Sequence, residues 1–178
     1  MARQYVIMSY NYTPVNPRGA HPAPRIGRRE AAVAQDAREP IVGTWTLNLE
    51  KSTYATRKPP RSTIRTFDYT RDGLILVTLQ TENAQGARSS NHWYMGFDGK
   101  EYPEFSRERG ATPILWIRID HVDAHTKELI GRRLEGGLMT IVDLFTFKVS
   151  PDGRFLSVIY KTPDGKPTGD VVVFDRQS

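Results

Sequence analysis

From Ile41 onward, short apolar runs alternate with turn residues, and no helical period interrupts them. The runs are rich in Val, Ile, Thr, Phe and Tyr, the residues that suit a pleated, half-buried surface. Between them stand Asp72-Gly73, Gln85-Gly86, Asp98-Gly99, Gly136-Gly137, Pro151-Asp152-Gly153 and Pro163-Asp164-Gly165. Asp-Gly between two such runs favours a two-residue hairpin with positive φ. Pro-Asp-Gly favours a type I turn closed by a glycine bulge. The pattern predicts strands near 41–48, 62–71, 74–83, 87–97, 113–121, 127–135, 138–149, 154–162 and 168–175, with 100–105 adding a short piece. Consecutive hairpins make an antiparallel meander. Closing so long a meander into an up-and-down barrel removes its exposed edges. The expected fold is therefore all-β, a single antiparallel barrel of eight or more strands.

One hairpin allows a register to be drawn. If Ser150 pairs with Arg154, then Val149 faces Phe155, Phe147 faces Ser157, Phe145 faces Ile159 and Asp143 faces Lys161. Asp143 would then join Lys161 in a cross-strand ion pair. A slip of one residue would send all these side chains to the other face.

The chain before this region has a different texture. Residues 1–26 hold Pro14, Pro17, Pro22 and Pro24, which remove backbone donors and fix φ. Residues 27–38, rich in Ala, Arg and Glu, have the composition of a short helix stopped by Pro40. Helices this short are marginal alone in water. Residues 1–39 are read as a flexible arm and residues 40–178 as the barrel. The first 20 residues show no secretory apolar stretch, so a cytoplasmic protein is expected, or an exported one if the true start differs.

Charge and composition narrow the function classes. The net charge is +5, but residues 1–40 carry six Arg against Glu30, Asp36 and Glu39. The remaining 138 residues hold 19 basic and 17 acidic groups, so the barrel region is nearly balanced. A nucleic-acid binder concentrates basic charge on its folded face, which argues against a nucleic-acid partner. No apolar run is long enough for a membrane-spanning helix. Cysteine is absent, which excludes disulfides, thiolate nucleophiles and Cys-based metal sites.

The first predicted strand, "PIVGTWTLNLEKSTY", carries Gly43-Thr44-Trp45. This resembles the Gly-x-Trp motif of the lipocalin and calycin barrels. The resemblance implies that Trp45 closes the barrel base and that an Arg from the last strand lies across its ring; Arg176, in "VVVFDRQS", stands where that partner belongs. The ordered set Gly43, Trp45, Leu47, Asn48, Lys51 and Ser52, then "FDGKEYP", "SPDGR" and "PDGKP", is similar to a group of small bacterial lipocalin-like proteins of unassigned function. It covers residues 40–178 and brings no catalytic motif.

Candidate site residues follow from strand alternation. His92, Trp93 and Tyr94 are consecutive, so Trp93 faces one way and His92 with Tyr94 the other. Trp93, Met95 and Phe97 form the more apolar set and are favoured as the interior wall. In "PILWIRID", the aliphatic Leu115, Ile117 and Ile119 are favoured inside. The alternative turns Trp116 and Arg118 into the cavity, where a guanidinium could hold a ligand carboxylate. Tyr69, Tyr94 and Tyr160 could supply hydroxyl groups, and Asp143 is the acid on a mostly apolar face. His121 and His125 have four-residue spacing but lie on a strand end and turn, so no metal site is expected. No nucleophile elbow, phosphate-binding loop or dinucleotide motif is present.

The leading expectation is cofactor-free binding of a small apolar or amphipathic molecule in the barrel. A second is a cofactor-independent isomerase or cyclase using Asp143, His92, Tyr94 or Arg118. A third is a non-catalytic interaction module whose barrel is filled.

Overall fold

The computed structural model describes residues 39–178. The expected arm before Glu39, with its short helix, lies outside the described residues. Ten strands follow: β1 (Gly43–Thr53), β2 (Ser62–Tyr69), β3 (Ile75–Glu82), β4 (Arg88–Met95), β5 (Tyr102–Ser106), β6 (Leu115–His121), β7 (Thr126–Glu135), β8 (Leu138–Val149), β9 (Phe155–Lys161) and β10 (Pro167–Arg176). Each pairs antiparallel with its sequence neighbours, and β1 pairs with β10 to close the ring. The described residues contain no helix.

The short piece expected at 100–105 is a full member of the wall. β5 joins β4 through Asn91↔Ser106, His92↔Phe105 and Trp93↔Glu104, and joins β6 through Tyr102↔Ile117, Pro103↔Trp116 and Glu104↔Leu115. Pro103 donates no hydrogen bond to the ladder, which helps keep this strand short.

The expected register at the β8–β9 hairpin is corrected by one residue. Val149 faces Leu156, Phe147 faces Val158, Phe145 faces Tyr160, and Lys161 faces Leu144. The cause lies in the turn. Ser150 N–H donates to the Phe155 carbonyl at 2.9 Å, and Phe155 N–H donates to Ser150 Oγ at 3.0 Å. Arg154 is held out of this ladder because its N–H donates to the Asp152 carboxylate at 3.1 Å. The loop is one residue longer than a Pro-Asp-Gly bulge alone would make it. Leu156, Val158 and Tyr160 therefore turn inward. Lys161 pairs with Glu128 on β7 and not with Asp143.

One end of the barrel is packed solid. Trp45, Phe67, Val77, Phe147, Leu156 and Val158 are fully buried there. Phe147 meets Phe67 edge-on at 5.7 Å and Phe145 at 5.1 Å. Trp45 Nε1–H donates to the Ile41 carbonyl at 2.8 Å, which draws the incoming chain across the barrel floor. The Arg176 guanidinium lies 4.2 Å from the centre of the Trp45 ring. It also donates to the carbonyls of Gly153 at 2.6 Å, Val42 at 2.8 Å, and Pro40. Gly43 has φ of 136°, and a Cβ there would stand 2.7 Å from Arg176 Nη1. The glycine of the motif is thus the space through which the arginine reaches.

Glu39 adds a second tie at this end. Its N–H donates to Tyr69 Oη at 3.0 Å, and its carboxylate meets Lys127 Nζ at 3.0 Å and His121 at 3.5 Å. Lys127 is buried and also donates to the carbonyls of Asp123 and Ala124. Arg176→Ala removes one ring contact and three charge-assisted hydrogen bonds to backbone carbonyls, so a loss of about 2–4 kcal/mol is expected in urea unfolding. A loss under about 0.5 kcal/mol, the level of an ordinary surface change, would contradict the closure role.

Candidate ligand-binding cavity

Above the packed floor the interior opens. A cavity of about 460 Å³ lies among strands β2 to β9 and the loops that end them. Its apolar wall includes Leu79, Trp93, Ile117, Leu129, Val142 and Phe145. The strand register explains how its polar groups arrive together. Trp45↔Arg65, Arg65↔Leu79, Leu79↔Asn91 and Asn91↔Ser106 form one row of inward positions around the ring. Trp93↔Glu104 and Glu104↔Leu115 form the row beside it.

Arg65 is the central group. Its residue is 3% exposed, and its guanidinium carbon lies 5.0 Å from the Phe147 ring centre and 5.6 Å from that of Phe174. Trp93 and Phe145 stand at 6.0 Å. These rings face the cation with their negative π-clouds, but they do not replace hydrogen bonds. Nε and Nη1 are buried without a partner. Burial draws the guanidinium below its ordinary pKa. Arginine nevertheless stays charged at neutral pH, so the barrel holds a permanent cation with two nitrogens that meet no protein acceptor.

Two carboxyls face the same space. Glu104 is 6% exposed and accepts a 2.7 Å hydrogen bond from Asn91 Nδ2. Burial, and to a lesser degree the charge of Asp143, pushes it up to about 7 against the opposing effects of Asn91 and Arg65. Burial likewise raises Asp143, while Arg57 and Arg133 oppose the shift. Gly131 permits this arrangement, since a Cβ there would lie 3.0 Å from the Asp143 Cβ. A bulge between Gly131 and Arg132 sets both Val142 and Asp143 against the cavity.

The mouth is shaped by the connection between β1 and β2. Arg57 on that loop lies 4.2 Å over the Tyr160 ring. Asp170, on β10 and buried, pins the loop by accepting from the backbone N–H groups of Ala55 at 2.6 Å and Thr56 at 2.9 Å. It also accepts from the Thr56 and Thr168 hydroxyls. Burial works against the charge of Asp170, yet these donors outweigh it and hold its pKa well below the carboxylate range.

The two ends of the barrel differ in charge. At the cavity end the connections 54–61, 83–87, 107–114, 136–137 and 162–166 carry six basic residues against Glu108 and Asp164. At the packed end the connections 70–74, 96–101, 122–125 and 150–154 carry Arg71, Lys100 and Arg154 against five acids. The connections at the open end are therefore net positive and those at the floor net negative.

The residues singled out from the sequence divide between these surroundings. Trp93, Asp143 and Tyr160 line the cavity. Met95 faces inward but belongs to the packed floor. Phe97 stands beyond the end of β4, where alternation stops, and is half-exposed against His121. His92 and Tyr94 point outward, with His92 stacked on Phe105 at 5.6 Å. Trp116 is on the outer face, and Arg118 pairs there with Asp120 at 3.0 Å. The alternative that turned Trp116 and Arg118 inward is corrected: the aliphatic Leu115, Ile117 and Ile119 take the interior. Tyr69 is exposed at the packed end, bonded to Glu39. Gly43, Trp45 and Arg176 meet at the closure.

Arg65 and Glu104 were not singled out by the sequence. For Arg65 the signal was its phase, two residues before Phe67 on the same strand face; for Glu104 it was its place beside Pro103 in a strand of unexpected rank. Among the described residues, no group of three or more His, Asp or Glu side chains could hold a metal ion. No family model matches this chain, and no curated protein matches it.

Glu104 makes stability depend on pH. Its carboxyl keeps its proton to about 7 in the folded chain but loses it near 4.5 when exposed. The folded state thus binds more protons across that window, and stability falls as pH rises through it. The difference corresponds to about 3 kcal/mol at most. Urea unfolding of Glu104→Gln should show a much flatter profile over the same window; an unchanged slope would refute this assignment.

Proposed function

We propose that the barrel binds a small, partly apolar molecule in this cavity, and that it belongs with the small bacterial lipocalin-like barrels of the calycin type. One observation carries the binding reading: the interior is open, with an apolar wall and a few convergent polar groups that include a buried cation without partners. Pockets of roughly 300–1,000 Å³ with such linings are the usual form of small-molecule sites. A filled interaction module has no use for this space.

A second reading rests on Glu104. A buried carboxyl that titrates near neutrality, beside a fixed cation, is suited to general acid–base work. A cofactor-independent isomerase or cyclase would use Glu104 to move a proton while Arg65 holds the oxygen where negative charge develops. Of the groups considered from sequence for that role, Asp143 alone borders the cavity; His92, Tyr94 and Arg118 do not.

Native mass spectrometry of protein purified from its own host tests the leading reading. A co-purifying small molecule is expected, and it should be lost from the variant Val142→Phe, which fills the cavity from one wall. The variant should unfold within about 1.5 kcal/mol of the parent, since Val142 is only half-buried. Retention of the same molecule by the filled variant would place its binding elsewhere.

A further inference from the structure

We propose that the cavity is specific for a carboxylic acid with an apolar body, held by its carboxylate on Arg65, and that capture takes up a proton on Glu104. This rests on the cavity-binding reading above and names the chemical class of the ligand and its linkage to pH.

The argument starts from the buried cation. A guanidinium removed from water loses its hydration and needs acceptors in return. Arg65 has four aromatic rings around it and no acceptor on Nε or Nη1. Its flat fork of donors matches the two oxygens of a carboxylate. The side chain borders both the main cavity and a neighbouring space of about 280 Å³ toward the mouth. An acid entering with its charged end inward therefore meets Arg65 before it meets the packed floor. Leu79, Ile117, Leu129 and Val142 then cover its apolar body.

One cation is fully buried here, Arg65, and the carboxyls of Glu104 and Asp143 share its surroundings, while Arg57, Arg109 and Arg133 also line the cavity. The fork of one buried guanidinium matches one carboxylate. A single carboxylate neutralises Arg65, provided that Glu104 gives up its own charge. Glu104 is placed to do so. It faces Arg65 of β2, Asn91 of β4 and Asp143 of β8, with Arg57, Arg109, Arg133 and Tyr160 also bordering the cavity. Without ligand, Arg65 is its stabilising cation. A bound carboxylate takes that cation over and adds a like charge, so Glu104 binds a proton as the acid enters. The overall step is uptake of one ligand carboxylate and up to one proton, the fraction of Glu104 still ionised in the free protein, with no covalent bond between ligand and protein. Affinity should therefore weaken as pH rises through the Glu104 midpoint of about 7.

Isothermal titration with a matched pair, 4-phenylbutyrate and 4-phenylbutanol, tests this. Titrations are run in two buffers of different ionisation enthalpy, from one unit below to one unit above that midpoint. The acid should bind at least about tenfold more tightly than the alcohol at the lower pH. Its buffer-dependent heat should show proton uptake near the midpoint. Arg65→Met should fold, because it replaces an unpaired buried charge with an apolar chain of similar length. It should bind acid and alcohol equally. Glu104→Gln should keep the preference for the acid but lose both the proton uptake and the pH dependence. Equal binding of acid and alcohol by the parent protein would overturn the inference while leaving the cavity reading intact. Full acid preference in Arg65→Met, or no proton uptake in the parent, would overturn it as well. Failure of both molecules to bind would count against the cavity reading itself.

Discussion

The pairing of β1 with β10 is the constraint from which the interior follows. It joins the two ends of a ten-strand meander and leaves no open edge. Barrel width grows with strand number, and about eight strands already leave room for packed side chains or one small ligand. Ten strands enclose more than their inward side chains fill. The floor solves this locally with Trp45, Phe67, Phe147 and Phe174, the largest residues available. Arg176, at the end of β10, and Ile41, just before β1, complete that plug. The space left over is the cavity, held open by walls whose backbone bonds are already satisfied by neighbouring strands.

That rigidity is what makes an unpaired buried cation tolerable. No protein acceptor reaches Nε or Nη1 of Arg65, and the strands hold their own polar groups away from it. Closed hydrogen bonding around the ring opposes collapse. The rings of Phe147 and Phe174 soften the cost without satisfying the donors. Glu104 stays close enough to feel the cation, while Asn91, in the same row as Arg65, donates to its carboxyl at 2.7 Å. The polar interior is thus a set of groups kept apart by the register of the strands that bear them.

Much of the architecture was legible because turn chemistry is local. Asp72-Gly73 and Pro163-Asp164-Gly165 lie between strands, as their sequences require. Gly73 and Gly165 adopt positive φ, at 83° and 86°. The Trp45–Arg176 pair was legible from resemblance alone, since the residues lie at opposite ends of the barrel sequence. The β8–β9 register was not, because Asp152 accepting from the Arg154 amide marks a turn but does not say which residue opens the next ladder. Trp93 was found because its face is plainly apolar. Arg65 was missed because β2 offers two mixed faces, Thr63-Arg65-Phe67 and Ile64-Thr66-Asp68, and the buried one carries the charge. Apolarity decides orientation well only when the interior is uniformly apolar, and this cavity breaks that condition at Arg65 and Glu104.

The unequal charge of the two barrel ends acts beyond contact range. The connections around the mouth carry six basic residues against two acids, and those at the floor three against five. Basic loops around an opening favour the approach of an anion over that of a cation. Such guidance acts on the rate of encounter, not on the strength of the final contacts. Dissolved salt screens it over about 10 Å at 0.1 M, while leaving interactions inside the cavity much less affected. For the proposed acid, entry and retention would therefore fall to separate parts of the chain: the loops for the first, the inward rows of the strands for the second.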